Sequence, residues 1–394
     1  VLTEIKQIAE ELMPRLKEIR RHLHSHPELS GQEHLTAIFV AGVLSSYELH
    51  VQENVGKTGL FGELQGQGTD SRQLAIRVDM DALPIHEQTG LEFASKVPGV
   101  MHACGHDVHT TVGLGTAMVL SHLKEQIPGN VRFIFQPAEE IGQGAMWMIK
   151  NKALENVSAI LSLHVFPTIP AGSVGIRYGS LTASLDSVEI TIIGQAADAG
   201  NPKQGVDAIW VASQVIISLQ QAISRMQDPQ RPVVLTIGKI RGGYNSNTIA
   251  DRVKLVGTAR TLHPEVRARL AEWVEQVVAG VCHAYGAEYE LHYHHSMPSV
   301  VNYPELTQLL ERAATEALGN DYVQVLPDPS LGSEDFAEYL NYVPGAMFRL
   351  GVGYKDKYNY PLHHPKFDVD ETSILAGVMT LAYSVCQYFQ GKHI

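Results

Sequence analysis

The stretch LAIRVDMD, Leu74–Asp81, is a short apolar run rich in branched side chains that breaks off into two carboxylates. A run of this length bounded by polar residues reads as a fully buried strand. The pattern recurs at LFGEL (60–64), VRFIF (131–135) and AILSLHV (159–165), and the helical segment Thr110–Leu123 lies between LAIRV and VRFIF. Strands of this kind alternating with helices predict an α/β domain, a mostly parallel sheet with helices on both faces.

Outward from this stretch, residues 5–23 place Ile5, Ile8, Leu12, Leu16, Ile19 and Leu23 at helical spacing, and a second helical run covers Leu35–Leu44. From about Ser184 the pattern changes to the alternating SVEITII, a helix over 206–224, the strands VVLTIGKI and RVKLVGTART, a helix over 265–285, and AEYELHYHH. This βαββαβ order predicts a ferredoxin-like α+β unit that is complete in itself. After Pro298 the α/β style returns, with a helix over 304–317, the strand AMFRLG from 346 and a helix over 372–389. The expected organisation is an α/β domain made of residues 1–183 and 297–394, with residues 184–296 inserted into it.

The 394 residues exceed the size at which one core usually stops growing, and 44% hydrophobic with 18% charged residues is ordinary for a globular protein. The net charge of -12 and the lack of a basic stripe argue against nucleic acid as a partner. No apolar run approaches the roughly 18 residues of a membrane span, and the first residues read as an amphipathic helix, not an export signal. Cys104, Cys282 and Cys386 are too few and too scattered for a disulfide framework, which fits a cytoplasmic location. Cys282 and Cys386 lie in helical patterns and read as packing residues.

In open parallel sheets, ligands bind at the carboxyl ends of the strands. There the sequence places Asp79 and Asp81 after LAIRV, Cys104, His106 and Asp107 after the following loop, Glu139 and Glu140 after VRFIFQP, and His164 within AILSLHV. His363 and His364 follow the last strand. Thiolate, imidazole and carboxylate at one sheet edge make a transition-metal site. Cys104, in MHACGHDVHT among His102, His106 and His109 and not among aliphatic residues, reads as a metal-bound thiolate. Adjacent side chains project differently, so of Glu139 and Glu140 one can bind metal while its neighbour moves protons, the arrangement for hydrolysing an amide. His22, His24 and His26 stand at a helix end before Pro27 and read as capping or packing residues, and His292, His294 and His295 as surface or edge residues.

The segments RRHLHSHPELSGQE, IRVDMDALPIHEQTGLEFAS, MHACGHDVHT, FIFQPAEE, GSEDF and LHHPKFDVDE, taken in order, resemble the metal-dependent aminoacylase, hippurate hydrolase and auxin-conjugate amidohydrolase family, relatives of the dinuclear metallo-carboxypeptidases. The resemblance implies two divalent metal ions (Zn, Mn, Co or Ni) on Cys104, His106, Glu140, His164 and His363, with Glu139 as general base. It chooses His363 over His364, and it gives Asp79, Asp81, Asp107 and Glu334 the role of orienting the ligands. The implied substrate is an N-acyl amino acid, with acetyl, benzoyl or aryl-acetyl groups. A dipeptidase or carboxypeptidase is the alternative within the same chemistry.

The inserted unit resembles the family's lid, which implies a homodimer through that unit. Family lids carry Gly-Gly-His, whose imidazole supports the oxyanion; here GQAADAGNPK puts Ala196, Ala197 and Asp198 at those positions. Asn247 in SNTIAD remains a substrate-contact candidate, with Ala250 in place of the motif's proline. An ionised carboxylate opposes the developing charge, so slow hydrolysis is expected, and a metal-loaded but silent binding protein is the competing expectation.

Overall fold

The structure, a computed structural model, describes residues 1–226 and 228–391. The chain opens with α1 (Leu2–Ser25) and α2 (His34–Ser46), then β1 (His50–Val55), β2 (Gly59–Leu64) and β3 (Gln73–Asp79). There follow α3 (His106–His122), β4 (Asn130–Gln136), α4 (Gly144–Lys150), β5 (Ala159–Pro170) and β6 (Val174–Ile176). The middle of the chain supplies β7 (Leu185–Ile193), α5 (Ala208–Met226), β8 (Val233–Gly242), β9 (Arg252–Thr261), α6 (Pro264–Tyr285) and β10 (Glu288–Met297). The last part gives α7 (Pro304–Leu318), β11 (Val323–Val325), β12 (Gly345–Gly353) and α8 (Ser373–Gln390).

These elements divide into two compact units, one of Val1–Gly179, Val301–Asp328 and Asp335–Ile394, the other of Ser180–Val300 and Pro329–Glu334. The first holds an eight-stranded sheet in the order β1-β2-β4-β3-β5-β12-β6-β11. Its centre is parallel: β3 pairs in parallel with β4 and β5, and β5 with β12, while β1, β2 and the β12–β6 contact are antiparallel. The second holds a four-stranded sheet in the order β10-β7-β9-β8, antiparallel throughout. The fold class is therefore α/β with a mostly parallel sheet, plus a separate ferredoxin-like α+β unit.

Every residue of β3 is buried, as is every residue of α3 from His106 to Leu120, which makes α3 a core helix and not an amphipathic one. Its glycines permit this depth. A Cβ on Gly113 would stand 2.8 Å from Val78 of β3, and one on Gly115 2.7 Å from Val378 of α8. In the second unit, Val188, Ile190 and Ile192 of β7 and Val253, Leu255 and Ala259 of β9 alternate inward to meet Val211 and Val215 of α5 and Leu270, Val274 and Val278 of α6. Two three-residue strands, β6 and β11, leave no mark in the sequence pattern, since runs so short carry no periodicity.

One buried ion cluster fixes the middle of the parallel sheet. The Arg77 guanidinium donates to Gln136 Oε1, Asp79 Oδ2 and Asp335 Oδ1, each at 2.8 Å, and all four groups are fully buried. Removing one partner from such a cluster leaves uncompensated buried charge. Arg77→Met is expected to destabilise the first unit by about 3–5 kcal/mol, read as an earlier urea transition; a loss below 1 kcal/mol would show that the cluster does not hold the sheet.

Candidate metal centre

Parallel pairing sends β3, β4 and β5 to the same edge, and there the donors gather. Asp79 ends β3, the turn after β4 carries Glu139 and Glu140, His164 lies within β5, and the N-terminal end of α3 presents His106 with Cys104 just before it. The turns are tight: Gly105, Ala138 and His363 all take left-handed backbone at φ 84, 55 and 65°. For the two residues that are not glycine this is a costly conformation, kept where surrounding structure over-determines it. Ala138 N donates to the buried Glu33 carboxylate at 2.9 Å, and His363 N donates to Ala103 O at 2.8 Å.

Cys104 Sγ lies 3.6 Å from His164 Nε2 and 3.3 Å from His363 Nε2. Glu140 Oε1 lies 3.6 Å from His363 Nε2 and 3.9 Å from His106 Nε2. Cys104, His106 and His164 form one close triad and Cys104, Glu140 and His363 another, so the thiol is common to both. An ion with tetrahedral arms of about 2.0–2.3 Å separates its ligand atoms by roughly 3.3–3.8 Å; three of these spacings fall in that range and the 3.9 Å one lies just beyond it.

Hydrogen bonds fix which ring nitrogens are available. His106 Nδ1 donates to Asp81 O at 2.9 Å, and His164 Nδ1 donates to Val165 O at 2.9 Å, so each ring turns its Nε2 lone pair inward. His106 Nε2 and Glu140 Oε1 are buried without a hydrogen-bond partner. Orphaned buried acceptors are costly, and a cation satisfies both at once; the donor set therefore fits a divalent transition metal.

His109 is different. Its Nε2 accepts the Val165 amide at 2.9 Å while its Nδ1 donates to Asp79 Oδ1, so its lone pair is spent and it braces Asp79. Sequence reading gave His109 no role, and only its position one helical turn after Gly105 could have suggested one. Asp81 is held by Ser30 Oγ at 2.6 Å, and its carboxylate accepts Glu140 N at 3.0 Å as well as facing His106 Nδ1 at 3.2 Å. Asp81 thus sets the Glu140 backbone and the His106 ring together.

Of the other candidates, Glu139 is buried, with Oε2 4.0 Å from His106 Nε2. Asp107 turns away from the donors toward Arg20 and His24. Glu334 is buried in the 329–334 segment of the second unit. Also in that unit, Asp198 is exposed, bridges backbone to Thr248 and accepts Gly200 N at 2.8 Å. Asn247 is exposed beside it, its carbonyl accepting Ala199 N at 3.0 Å. His364 stacks on Tyr360 and accepts Lys366 N, apart from the donors. His26 caps α1 by bonding His22 O, and His22 stacks on Phe39. His24, read from sequence as capping or packing, is instead a buried partner of two carboxylates.

Burial, reinforced by Glu140, pushes the Cys104 thiol well above its usual range. Burial also raises Glu140, to about 7, with Asp81 and Asp79 adding to the effect against His106. Burial opposes the charge on His106, but Asp79 and the hydrogen-bonded Asp81 carboxylate hold its imidazolium well above the ordinary value. Without metal, Cys104 and His106 therefore hold their protons at neutral pH and Glu140 holds part of one, while burial keeps His164 and His363 neutral.

A thiol, imidazole and carboxylate set at the carboxyl edge of an α/β sheet is the donor chemistry of the class of metal-dependent hydrolases. The model of peptidase family M20/M25/M40 matches residues 75–387, and the chain belongs to that family. It is a metal-dependent amidohydrolase. A Synechocystis sp. protein named "Probable hydrolase sll0100" is 60% identical over 98% of this chain and 99% of its own. An N-acyl-L-amino acid amidohydrolase of Geobacillus stearothermophilus is 41% identical over 77% of this chain and 82% of its own. The crystal structure of a dinuclear metal-binding M20 peptidase from Bacillus subtilis superposes with a TM-score of 0.86 at 36% identity, covering 97% of this chain and 99% of that one.

A metal held by these groups would enter only as they lose protons, so its affinity would fall as pH falls through their raised values. Calorimetry in buffers of different ionisation enthalpy should find at least one proton released per metal bound at pH 7, and fewer for Cys104→Ala. Uptake with no proton release would contradict a buried, protonated thiol as ligand.

Proposed function

We propose that the protein hydrolyses N-acyl amino acids to a carboxylate and a free amino acid, using two divalent metal ions held by Cys104, His106, Glu140, His164 and His363. The observation that carries this reading is the pair of donor triads sharing one buried thiol, with Glu139 beside them. When bound, the ions would polarise the amide carbonyl and make water a nucleophile near neutral pH. The identity at 41% to an N-acyl-L-amino acid amidohydrolase supports the substrate class.

Glu139 does the proton work. Its neighbour Glu140 is committed to the donor set, whereas Glu139, one residue earlier on a turn that begins in a left-handed Ala138, keeps its carboxylate at the rim of the cluster. It takes a proton from the attacking water as the water oxygen joins the acyl carbon, then delivers that proton to the amide nitrogen as the C–N bond breaks and the free amine leaves. Asp81, Asp79 and His109 hold the ligating rings and backbone in place.

The second unit is read as the family's lid and as the surface of a homodimer. Asp198 stands at the position of the lid imidazole and, unlike an imidazole, cannot donate to an oxyanion when ionised. Three free, buried cysteines support a reducing, cytoplasmic setting.

The test compares N-acetyl and N-benzoyl amino acids with dipeptides, in protein reconstituted with Zn, Mn, Co or Ni. Slow hydrolysis of the N-acyl substrates is expected; a preference for dipeptides would move the assignment to a peptidase. Glu139→Gln should lower kcat by roughly 10²–10⁴-fold with metal content unchanged. Asp198→His should raise kcat at least tenfold, against the roughly 10²–10³-fold that one oxyanion donor typically supplies. An unchanged rate in that variant would remove Asp198 from the explanation.

A further inference from the structure

The motif RRHLHSHPE at the end of α1 supplies no donor to the centre, yet two of its residues are among the most deeply buried charges in the first unit. Arg20 and His24 are each 1% exposed. Arg20 lies amid the apolar positions Leu16, Ile19 and Leu23, where a free guanidinium would be costly. Its neighbours explain its presence. Arg20 Nε donates to Asp107 Oδ2 at 2.9 Å, and its NH1 reaches Glu371 Oε1 at 3.5 Å. Arg21 completes the Glu371 contact at 2.7 Å, and both guanidinium groups lie over the Phe93 ring, at 5.0 and 4.8 Å. His24 donates from Nδ1 to Asp107 Oδ2 at 2.8 Å and from Nε2 to Glu87 Oε1 at 3.2 Å.

Both His24 nitrogens face carboxylates, so both carry protons. Burial and Arg20 oppose that charge, but Asp107 and Glu87 outweigh them and raise the imidazole above its ordinary value. Arg20, His24 and the more exposed Arg21 thus balance the three carboxylates of Asp107, Glu87 and Glu371.

Asp107 directly follows His106 in the first turn of α3, and Glu371 follows His363 on the loop that returns to α8. The two loops also touch each other, through His363 N and Ala103 O at 2.8 Å. We propose that Arg20 is a positioning residue for the metal centre: one buried guanidinium, braced by His24, clamps the loop carrying Cys104 and His106 to the loop carrying His363. The clamp acts on ligand geometry and touches neither metal nor substrate. Its planar fork can serve Asp107 and Glu371 together, which an ammonium cannot. This inference rests on the ligand assignment of the proposed function.

The test is Co²⁺ binding to metal-depleted protein, followed by the thiolate-to-cobalt absorption band and by calorimetric affinity. The wild-type protein should show the band. Arg20→Met should weaken Co²⁺ affinity by roughly 10–100-fold, the range for partners that orient ligands, and diminish the band. Arg20→Lys, which keeps the charge but loses the fork, should fall between, and Glu371→Gln should weaken affinity by a smaller factor. The control is Arg132→Met, which removes a buried guanidinium paired with the partly exposed Glu63 in the eight-stranded sheet. It should lower the unfolding temperature while leaving Co²⁺ affinity within twofold. If Arg20→Met and Arg20→Lys bind Co²⁺ like the wild type, or if Arg132→Met weakens binding as much, the clamp is refuted. Should Arg20→Met fail to fold, Arg20→Lys and Glu371→Gln decide. Absence of the thiolate band in the wild type itself would instead refute the ligand assignment.

Discussion

Parallel pairing of β4, β3, β5 and β12 is the constraint on which the rest depends. It points the ends of β3, β4 and β5 to one edge, and each of these ends in, or carries, a group that cannot be buried alone. Burying Asp79, Asp81, Glu140, Cys104 and three imidazoles within one cluster would be prohibitive if each had to satisfy its own charge. The cluster is tolerable because the groups answer one another: Arg77 neutralises Asp79 and His109 donates a hydrogen bond to it, and Asp81 receives Ser30, Glu140 N and His106. What stays unanswered, His106 Nε2 and Glu140 Oε1, marks the space that suits a cation.

The same economy explains the backbone. Ala138 and His363 adopt left-handed conformations that the sequence does not advertise, since neither is glycine. In each case a hydrogen bond from a neighbouring segment holds the turn, through Glu33 for Ala138 and through Ala103 for His363. Strain is thereby placed beside the donor cluster, and stability is recovered in the buried sheet and in α3.

Much of this architecture was legible because local pattern and position agree. Runs such as LAIRV and VRFIF, each followed at once by carboxylates, announce both a buried strand and the edge at which it stops. The alternation of β7 and β9 likewise announces a sheet with one covered face. Other features left no local trace. Arg20 and Asp107 are 87 residues apart, so their ion pair generates no periodicity, and His24 at a helix end before proline looks like a cap. His363 and His364 are chemically identical in sequence; only the folded chain turns one ring to Cys104 and stacks the other on Tyr360. Asp198 shows the reverse limit: its identity is plain in the sequence, yet what it does to the rate depends on a transition state that neither sequence nor resting structure contains.

The most direct test of the central claim is hydrolytic activity against an N-acyl amino acid, measured as metal-depleted protein is titrated with a single divalent ion. A dinuclear centre predicts no activity without metal and a plateau as the second equivalent per chain is bound. Activity that survives complete metal removal, or that ignores added metal at every ratio, would contradict it.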